Sequence, residues 1–377
     1  MKIRTFEAVG LEYHVPDDRA YGSASGIHTR RQVTLIRLRT EDGIEGIGEA
    51  RAPLGLVRAN LDLLKPAFLG TDILDRDVTF MRLLNRAYHL GLQGPLIVAY
   101  SGLNIAMLDA LGKARGLPVC KLIGGMARRE VTGYATGGYL TRNPEADFEA
   151  QLEAIRVMGT VAAKIKIGLG AASDEARVAA ARRYLGDEVM LAVDANSNYT
   201  VDLALQSMRR IEPYRIAWFE EQLKPHDYEG YAALRSRAPM AISAGEAHHM
   251  VFDFHRLLAG GCIDIAQPAV CACGGMDEAR RIADLCRLYG ARLVLSAWAS
   301  GVGLAAAVQF AASLAPNPHS EFEPVLQLVE YDVGENPLRD GVLAEPLRLR
   351  NGRFSVSDAP GLGISLNEDV IRRYAIA

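Results

Sequence analysis

From Val131 onward the chain settles into a rhythm that few folds can accommodate. Short apolar runs (VTGYATG, VAAKIKIG, VMLAVDAN, RIAWFEEQ, AISAGEA, CIDIAQPA, ARLVLSAW and HSEFEPVLQLVEY) alternate with helix-like stretches such as PEADFEAQLEAIRVM and GMDEARRIADLCRLYG. Runs of this length read as strands buried on both faces, and the segments between them carry helical apolar spacing. Eight strand–helix units in roughly 200 residues predict an α/β chain built on a (β/α)8, TIM-like barrel. An open doubly wound sheet gives a similar local pattern and is the competing topology at this level.

The first third reads differently. KIRTFEAVGLEY and QVTLIRLRT are strand-like, and EDGIEGIGEA is a hairpin turn feeding a third strand. Between them PDDRAYGSASGIHTRR is polar and rich in Gly and Ser, the composition of a mobile loop. Helical patterns follow over 57–69, 72–90 and 96–115, and GLPVCKLIGG ends the block. Past Asp332 the chain is turn-rich, includes DAPGLGI, and is free to return to the first domain. The expected organisation is an α+β capping domain over 1–125, a barrel over 126–332, and a C-terminal segment, 333–377, returning to the cap.

Composition removes several function classes. A net charge of −3 over 377 residues argues against a nucleic-acid partner, which would call for a basic face. The five cysteines form no CxxC pair and suit a reducing cytosol rather than a disulfide framework. MKIRTFEAVG has no apolar signal core, and GVGLAAAVQFAASLA is too short to span a bilayer. The expectation is a cytoplasmic protein with no membrane partner.

Chemistry concentrates at the ends of the strands. In VAAKIKIG, Lys164 and Lys166 are two apart and share one strand face, while Ile165 and Ile167 share the other. Two ammonium groups pointing into a barrel mouth are costly unless anions lie nearby. The next three runs supply them: Asp194 ends LAVDAN, Glu220 and Glu221 end IAWFEEQ, and Glu246 ends ISAGEA, with 26 residues from Asp194 to Glu220 and again to Glu246. That spacing is close to one βα unit and puts a carboxylate at the C-terminal end of three successive strands, the active face of a barrel. Clustered carboxylates with no thiolate among them favour a hard cation, Mg²⁺ first and Mn²⁺ next. Such an ion can hold a substrate carboxylate and stabilise the enediolate formed when its α-proton leaves. A lysine beside the ion and a second lysine is expected to have its pKa lowered toward useful base strength.

Together KIKIG, VDAN, WFEEQ, AGEA, CGGM and APGLGI resemble the mandelate racemase/muconate lactonizing branch of the enolase superfamily, over nearly the whole chain. The resemblance implies Mg²⁺ held by Asp194, Glu220 and Glu246, with Lys166 as base and Lys164 supporting it. It implies that Glu330 of QLVEYD contacts the substrate carboxylate, a role for which Glu321 and Glu323 compete. It also implies that the loop bearing Tyr21 and His28, and the turn after Glu49 bearing Arg51, cover the substrate; Asn196 and Trp298 complete the substrate-binding candidates. The implied partner is a small carboxylic acid, and the implied assembly a homo-oligomer, dimer or octamer. The barrel and tail look most like the galactarolactone cycloisomerase branch, through YATGGY, CACGG, WASGVGLAAAVQF and NPLRD.

Two departures shape the expected reaction. Where relatives of this kind carry an Asp or Lys, and in the next strand a His, this chain has Ala269 and Ser296. Neither is a base, so racemisation by proton exchange across both faces is disfavoured, while one-sided cycloisomerisation or syn-dehydration of an acid sugar or its lactone survives. Cys271 or Cys273 is a possible replacement acid, against the plainer reading of a buried apolar thiol. A racemase with an unrecognised second base and a degenerate, merely binding barrel remain alternatives. A dinucleotide site at IKIGLGAAS lacks the third glycine and leaves Glu220 and Glu246 unexplained.

Overall fold

The computed structural model describes residues 1–316 and 326–377. Its first unit is built on β1 (Ile3–His14), β2 (Tyr21–Ser23), β3 (Gly26–His28), β4 (Arg30–Thr40) and β5 (Glu45–Ala50). The central β4 pairs antiparallel with β1 on one side and β5 on the other. Three helices, α1 (Leu54–Phe68), α2 (Arg76–Arg86) and α3 (Pro95–Arg115), follow. The second is shorter than its 72–90 pattern. Asp72 caps a 3-10 turn by accepting from Leu74 N–H, and a second 3-10 turn over 88–90 ends at Gly91 with φ 76°. α3 packs tightly on β5: a Cβ on Gly48 would lie 2.0 Å from Gly102 O, so only glycine allows this backbone approach. Although α3 is long and apolar enough to cross a membrane, its apolar window is 94 % buried inside the protein.

The stretch expected as a mobile loop, 16–31, is instead folded. After a 3-10 turn it forms the β2–β3 hairpin, with Tyr21 opposite His28. Short polar strands of three residues give no period-2 signal long enough to read.

After α4 (Val119–Ile123) the barrel begins at β6 (Glu130–Gly137), followed by β7 (Leu140–Thr141), which pairs with β2, and α5 (Pro144–Val157). The remaining units are β8 (Ala162–Lys166) and α6 (Ala171–Leu185), β9 (Met190–Asp194) and α7 (Val201–Ile211), and β10 (Ile216–Glu220) and α8 (Tyr228–Arg235). They continue with β11 (Ile242–Ala244) and α9 (Met250–Ala259), β12 (Ile265–Ala266) and α10 (Gly275–Tyr289), then β13 (Arg292–Leu293), α11 (Gly301–Ser313) and β14 (Leu328–Asp332). The parallel ladder runs from β13 through β12, β11, β10, β9, β8 and β6 to β14. One further bridge, Leu295 to Val329, closes the ring. This is the expected eight-stranded barrel, not an open sheet. The eighth strand begins at Leu328; the earlier part of HSEFEPVLQLVEY, with Glu321 and Glu323, lies outside the described residues. Inside the barrel Tyr134, Ala162, Ala192, Trp218, Ile265, Val294 and Leu328 form an apolar layer.

The tail contributes α12 (Pro337–Gly341), β15 (Arg353–Ser355), α13 (Glu368–Tyr374) and β16 (Ala375–Ile376). β15 pairs antiparallel with β6, and β16 joins β1 in the cap sheet. The APGLGI stretch docks on α3, where buried Asp109 accepts from Leu362 N–H (2.8 Å) and from Ile47 N–H on β5 (2.9 Å). Cap and barrel are joined by the same kind of contact. Buried Glu49 accepts from Ser300 and Gly303 N–H at the start of α11 (2.9 and 2.8 Å), and Asn104 from Met276 N–H at the start of α10 (2.9 Å). Side-chain acceptors thus satisfy helix N–H groups that have no partner within their own helix.

Asp109→Ala would leave two buried N–H groups without an acceptor, each worth about 1–3 kcal/mol. Urea unfolding is expected to show a loss of about 2–5 kcal/mol; a loss below about 1 kcal/mol would show that Asp109 is not what fastens the tail to the cap.

Candidate active site

β8, β9 and β10 run side by side with Lys166 level with Asp194, and Asp194 level with Glu220. This register puts Asp194 and Glu220 at one height, whereas Glu220 stands level with Ser243 and Glu246 follows three residues further on. Lys164 is 1 % exposed. Its Nζ lies 2.5 Å from Glu220 Oε1, 3.0 Å from Glu330 Oε1 and 3.6 Å from Asp194 Oδ2. Lys166 Nζ donates to Asp194 Oδ2 at 2.6 Å. Glu246, just beyond β11, is paired with Arg51 from the cap at 2.9 Å.

A polar shell holds these acids in place. Gln267 Nε2 donates to Glu220 (2.6 Å), and Thr136 Oγ1 and Ala297 N–H donate to Glu330 (2.8 and 3.1 Å). The Ser296 hydroxyl sits 3.2 Å from both Glu246 and Glu330. Backbone strain gathers at the same rim: Asn196, Ser197 and Glu221 have φ of 44°, 62° and 44°. Non-glycine residues tolerate this region only where the surroundings impose it, and such sites are often functional.

The electrostatics follow from the crowding. Burial pushes Glu220 up to about 7, because Lys164 offsets only part of the cost added by Asp194, Glu330 and Glu246. Burial and the neighbouring Glu246, Asp194 and Glu220 raise Glu221 well above the usual carboxylate range. For Glu246 burial also acts upward, but Arg51, Lys164 and Lys166 outweigh it and hold the group at about 2. The lysines run against the expectation of a lowered base. Burial pulls Lys166 down and Lys164 adds to that, yet Asp194 wins and its pKa is raised. The sequence argument counted the like charge at Lys164 and not the carboxylate that the register sets beside Lys166.

One cavity of about 320 Å³ opens at this end of the barrel. Lys166, Asn196, Glu246 and Glu330 line it from the barrel, with Trp298; Tyr21, His28 and Arg51 line it from the cap. The structure therefore gathers Lys166 and every substrate-binding candidate around one space. Lys164, Asp194 and Glu220 do not line it; they form the buried layer beneath. Arg51 Nη1 and Asn196 Oδ1 are buried with no hydrogen-bond partner among the described residues, one donor and one acceptor available to a polar ligand.

Could this set hold a divalent cation? All the candidate donors are carboxylate oxygens, the chemistry a hard ion selects. Four buried acids (Asp194, Glu220, Glu221 and Glu330) and the partly buried Glu246 face three cations (Lys164, Lys166 and Arg51), so with every acid ionised the mouth is short of positive charge by the amount one divalent ion carries. The acid oxygens are turned toward the lysines and Arg51, and among the described residues no three Asp, Glu, His or Cys side chains converge on a point. The donors fit the ion by chemistry and charge.

Comparison with known proteins decides the family. The enolase C-terminal-domain-like family matches residues 147–370, and the N-terminal domain of mandelate racemase/muconate lactonizing enzymes matches residues 12–124. The chain belongs to the mandelate racemase/muconate lactonizing enzyme family. Within this family it is 35 % identical to D-galactarolactone cycloisomerase of Agrobacterium fabrum, over 99 % of each chain. It is 29 % identical to arabinonate dehydratase of Saccharolobus solfataricus, over 91 % of this chain and 90 % of that one. Among solved structures, a racemase from Streptomyces coelicolor with bound magnesium superposes with a TM-score of 0.87 at 27 % identity, covering 99 % of this chain and 100 % of that one.

Several residues at this family site carry no local signal. Arg31 is buried, paired with Asp332 at 2.8 Å, with its guanidinium 4.2 Å from the Tyr21 ring centroid and 5.0 Å from that of Trp298. Tyr139 packs edge-on against both rings and donates to Asp332 (2.6 Å), so the β2–β3 hairpin is clamped onto the barrel. Gln267 had a faint signal: a polar residue at the end of the strand after Glu246. Ala269 packs into the cap's apolar cluster rather than lining the cavity. Cys271 and Cys273 also stand away from the cavity lining, and burial raises both thiols, which fits structural thiols.

Lys164→Met would leave Glu220 and Glu330 without their main cation, and breaking a buried pair this way costs about 3–5 kcal/mol. Glu220 has a folded value, about 7, above its ordinary 4.5, so protonation relieves the unpaired charge at low pH. Lys164 lowers Glu220, so its loss moves that value higher still, and in a chelator the variant's stability deficit is therefore expected to grow as pH rises from about 7 upward, where the wild type ionises Glu220 beside its cation and the variant does not. A deficit independent of pH over that window would contradict the ion-pair account.

Proposed function

We propose that this protein removes the α-proton of a carboxylic acid, an acid sugar or its lactone, with Lys166, and that a β-oxygen departs on the same face. Cycloisomerisation or syn-dehydration follows. The observation that carries this reading is the placement of Lys166 in one cavity with Glu330, Asn196 and Arg51, directly above the Lys164 cluster. The cycloisomerase and dehydratase relatives support the substrate class.

Asp194, Glu220 and Glu246 are the residues that would hold Mg²⁺ or Mn²⁺, and a bound ion would supply polarisation of the substrate carboxylate. The rest falls to this chain's side chains. Lys166, which lines the cavity and faces the charge of Lys164, is the base that accepts the α-proton. Lys164 stays charged: burial pulls it down, but Glu220, Glu330, Tyr134 and Asp194 hold it well above its ordinary value. It stabilises negative charge developing above it. Arg51 Nη1 and Asn196 Oδ1 bind the polyol or carboxylate, and the aromatic clamp of Tyr21, Tyr139 and Trp298 excludes water over the substrate. With Ala269 in the cap core and Ser296 engaged by two carboxylates, the barrel wall has no second base there, and the one-sided route is preferred to racemisation.

The test is proton NMR in D₂O with Mg²⁺ and a panel of acid sugars, their lactones and small hydroxy acids. Lys166→Ala is expected to lower α-proton loss by about 10²–10⁴-fold. α-Exchange that yields both configurations would refute the one-sided route.

A further inference from the structure

The cap wall of the cavity is cationic. Arg30, Arg31 and Arg51 line it from the cap, and among the described residues no carboxylate of the cap does. Asp332 and Glu246 pair with Arg31 Nη1 and Arg51 Nη2, yet Arg31 Nε and Arg51 Nη1 are buried without a hydrogen-bond partner among the described residues. A guanidinium stabilises an anion beside it and does not give up its proton. Such a wall suits a leaving group that departs as a stable anion. The rest of the lining agrees. Ala269 packs in the cap's apolar cluster, and the Ser296 hydroxyl spans Glu246 and Glu330. Tyr139 donates to Asp332, Tyr21 lies in the clamp with Arg31 over its ring, and His28 is exposed on the hairpin.

Leaving groups differ widely in what they require. Hydroxide is the conjugate base of water, an acid with a pKa of about 15.7, and calls for a proton as it leaves. The carboxylate released when a lactone opens belongs to an acid with a pKa of about 4 and leaves as the anion. We propose that the substrate is the monolactone of a dicarboxylic sugar acid, and that its β-oxygen departs as a carboxylate onto Arg31 and Arg51. This rests on the reading given above and narrows it from acid sugars in general to one class. The relatives include a cycloisomerase and a dehydratase, so the choice falls to the cavity. The need for a second carboxyl group follows from the chemistry. One free carboxylate must acidify the α-proton, and the β-oxygen must be the acyl oxygen of another carboxyl. A lactone of a monocarboxylic acid has its only carboxyl inside the ring and lacks the first. An open-chain acid lacks the second.

The step balances. The α C–H bond breaks, its proton goes to Lys166 Nζ, and its electron pair enters the enediolate. That pair then forms the Cα–Cβ double bond as the β C–O bond breaks, and the pair of the broken bond leaves on the acyl oxygen. The ring is now open, and the new carboxylate faces the cap arginines. The hydroxyl on the α-carbon makes the product an enol, which rearranges to the 2-keto acid. No atom is lost, and because the new carboxyl group is ionised at neutral pH, the turnover releases a proton to solvent. Loss of water from an open-chain acid releases none.

The full chain with Mg²⁺ is given the monolactones of galactaric and glucaric acids, open-chain galactarate and arabinonate, and galactonolactone, followed by proton NMR and a pH indicator. A monolactone is expected to be converted with proton release matching product formed, and every other probe to give product at least about 10²-fold more slowly. Dehydration of galactarate or arabinonate within about tenfold of the lactone rate would overturn the proposal. So would Lys166-dependent α-exchange on the open-chain acids with no monolactone converted. The second carboxylate is tested separately by calorimetry on Lys166→Ala. Galactarate is expected to bind at least about tenfold more tightly than galactonate, and Arg51→Gln in that background to reduce the preference. Equal binding of the two acids, or a preference that Arg51→Gln leaves intact, would overturn the assignment of that carboxylate to the cap wall. Absence of Lys166-dependent exchange on every probe would instead refute the functional reading, and the binding preference would still decide whether the cap recognises a second carboxylate.

Discussion

The Lys164 ammonium, held within 3.0 Å of Glu220 and Glu330 and sealed from solvent, is the contact on which the barrel mouth depends. It marks the boundary between two kinds of interior. Below it lies the apolar layer, with the Tyr134 ring 5.5 Å from the ammonium nitrogen; above it lies a ring of carboxylates. Neither charge would tolerate that depth alone, since the desolvation cost of a lone buried ion runs to several kcal/mol. The shell of Gln267, Thr136 and Ser296 adds hydrogen bonds that make burial affordable and fixes where each oxygen points. A cluster built this way specifies position more than it adds stability, and position is what proton transfer requires.

Much of this was legible in the residues because it is periodic. Alternating strands and helices repeat, and a strand end recurs every βα unit, so Lys164, Lys166, Asp194, Glu220 and Glu246 could be assigned to one face before any coordinates. The hairpin was not legible. β2 and β3 have three residues each, and what holds them is Arg31 with Asp332, and Tyr21 with Trp298, pairs separated by hundreds of residues. Contacts of that range leave no local pattern. The raised pKa of Lys166 was missed for a related reason: face-sharing along one strand shows Lys164, whereas the neighbour that matters more, Asp194, comes from the adjacent strand.

CGGM and APGLGI illustrate a third case, in which a motif was visible and its purpose was not. Gly275 has φ 82°, and a Cβ there would meet Asn104 Oδ1 at 2.4 Å, so the glycine lets α3 cap α10. Leu362 reaches Asp109 on the same helix. Both motifs serve to dock the cap and carry no chemistry. That docking sets the cavity wall, because Arg51 and the hairpin come from the cap whereas Lys166 and the acids come from the barrel.

The divided wall has an evolutionary consequence. The proton-handling groups sit on regular strands in a rigid, densely paired ring, where most substitutions are punished. The hairpin is short and surface-lying, and it contributes side chains to the cavity without belonging to that ring. A lineage can therefore exchange one cavity-lining side chain for another by editing a dozen residues near the start of the chain, leaving the inherited chemistry intact. Diversification by such edits would leave barrels nearly superimposable and hairpins almost unrelated.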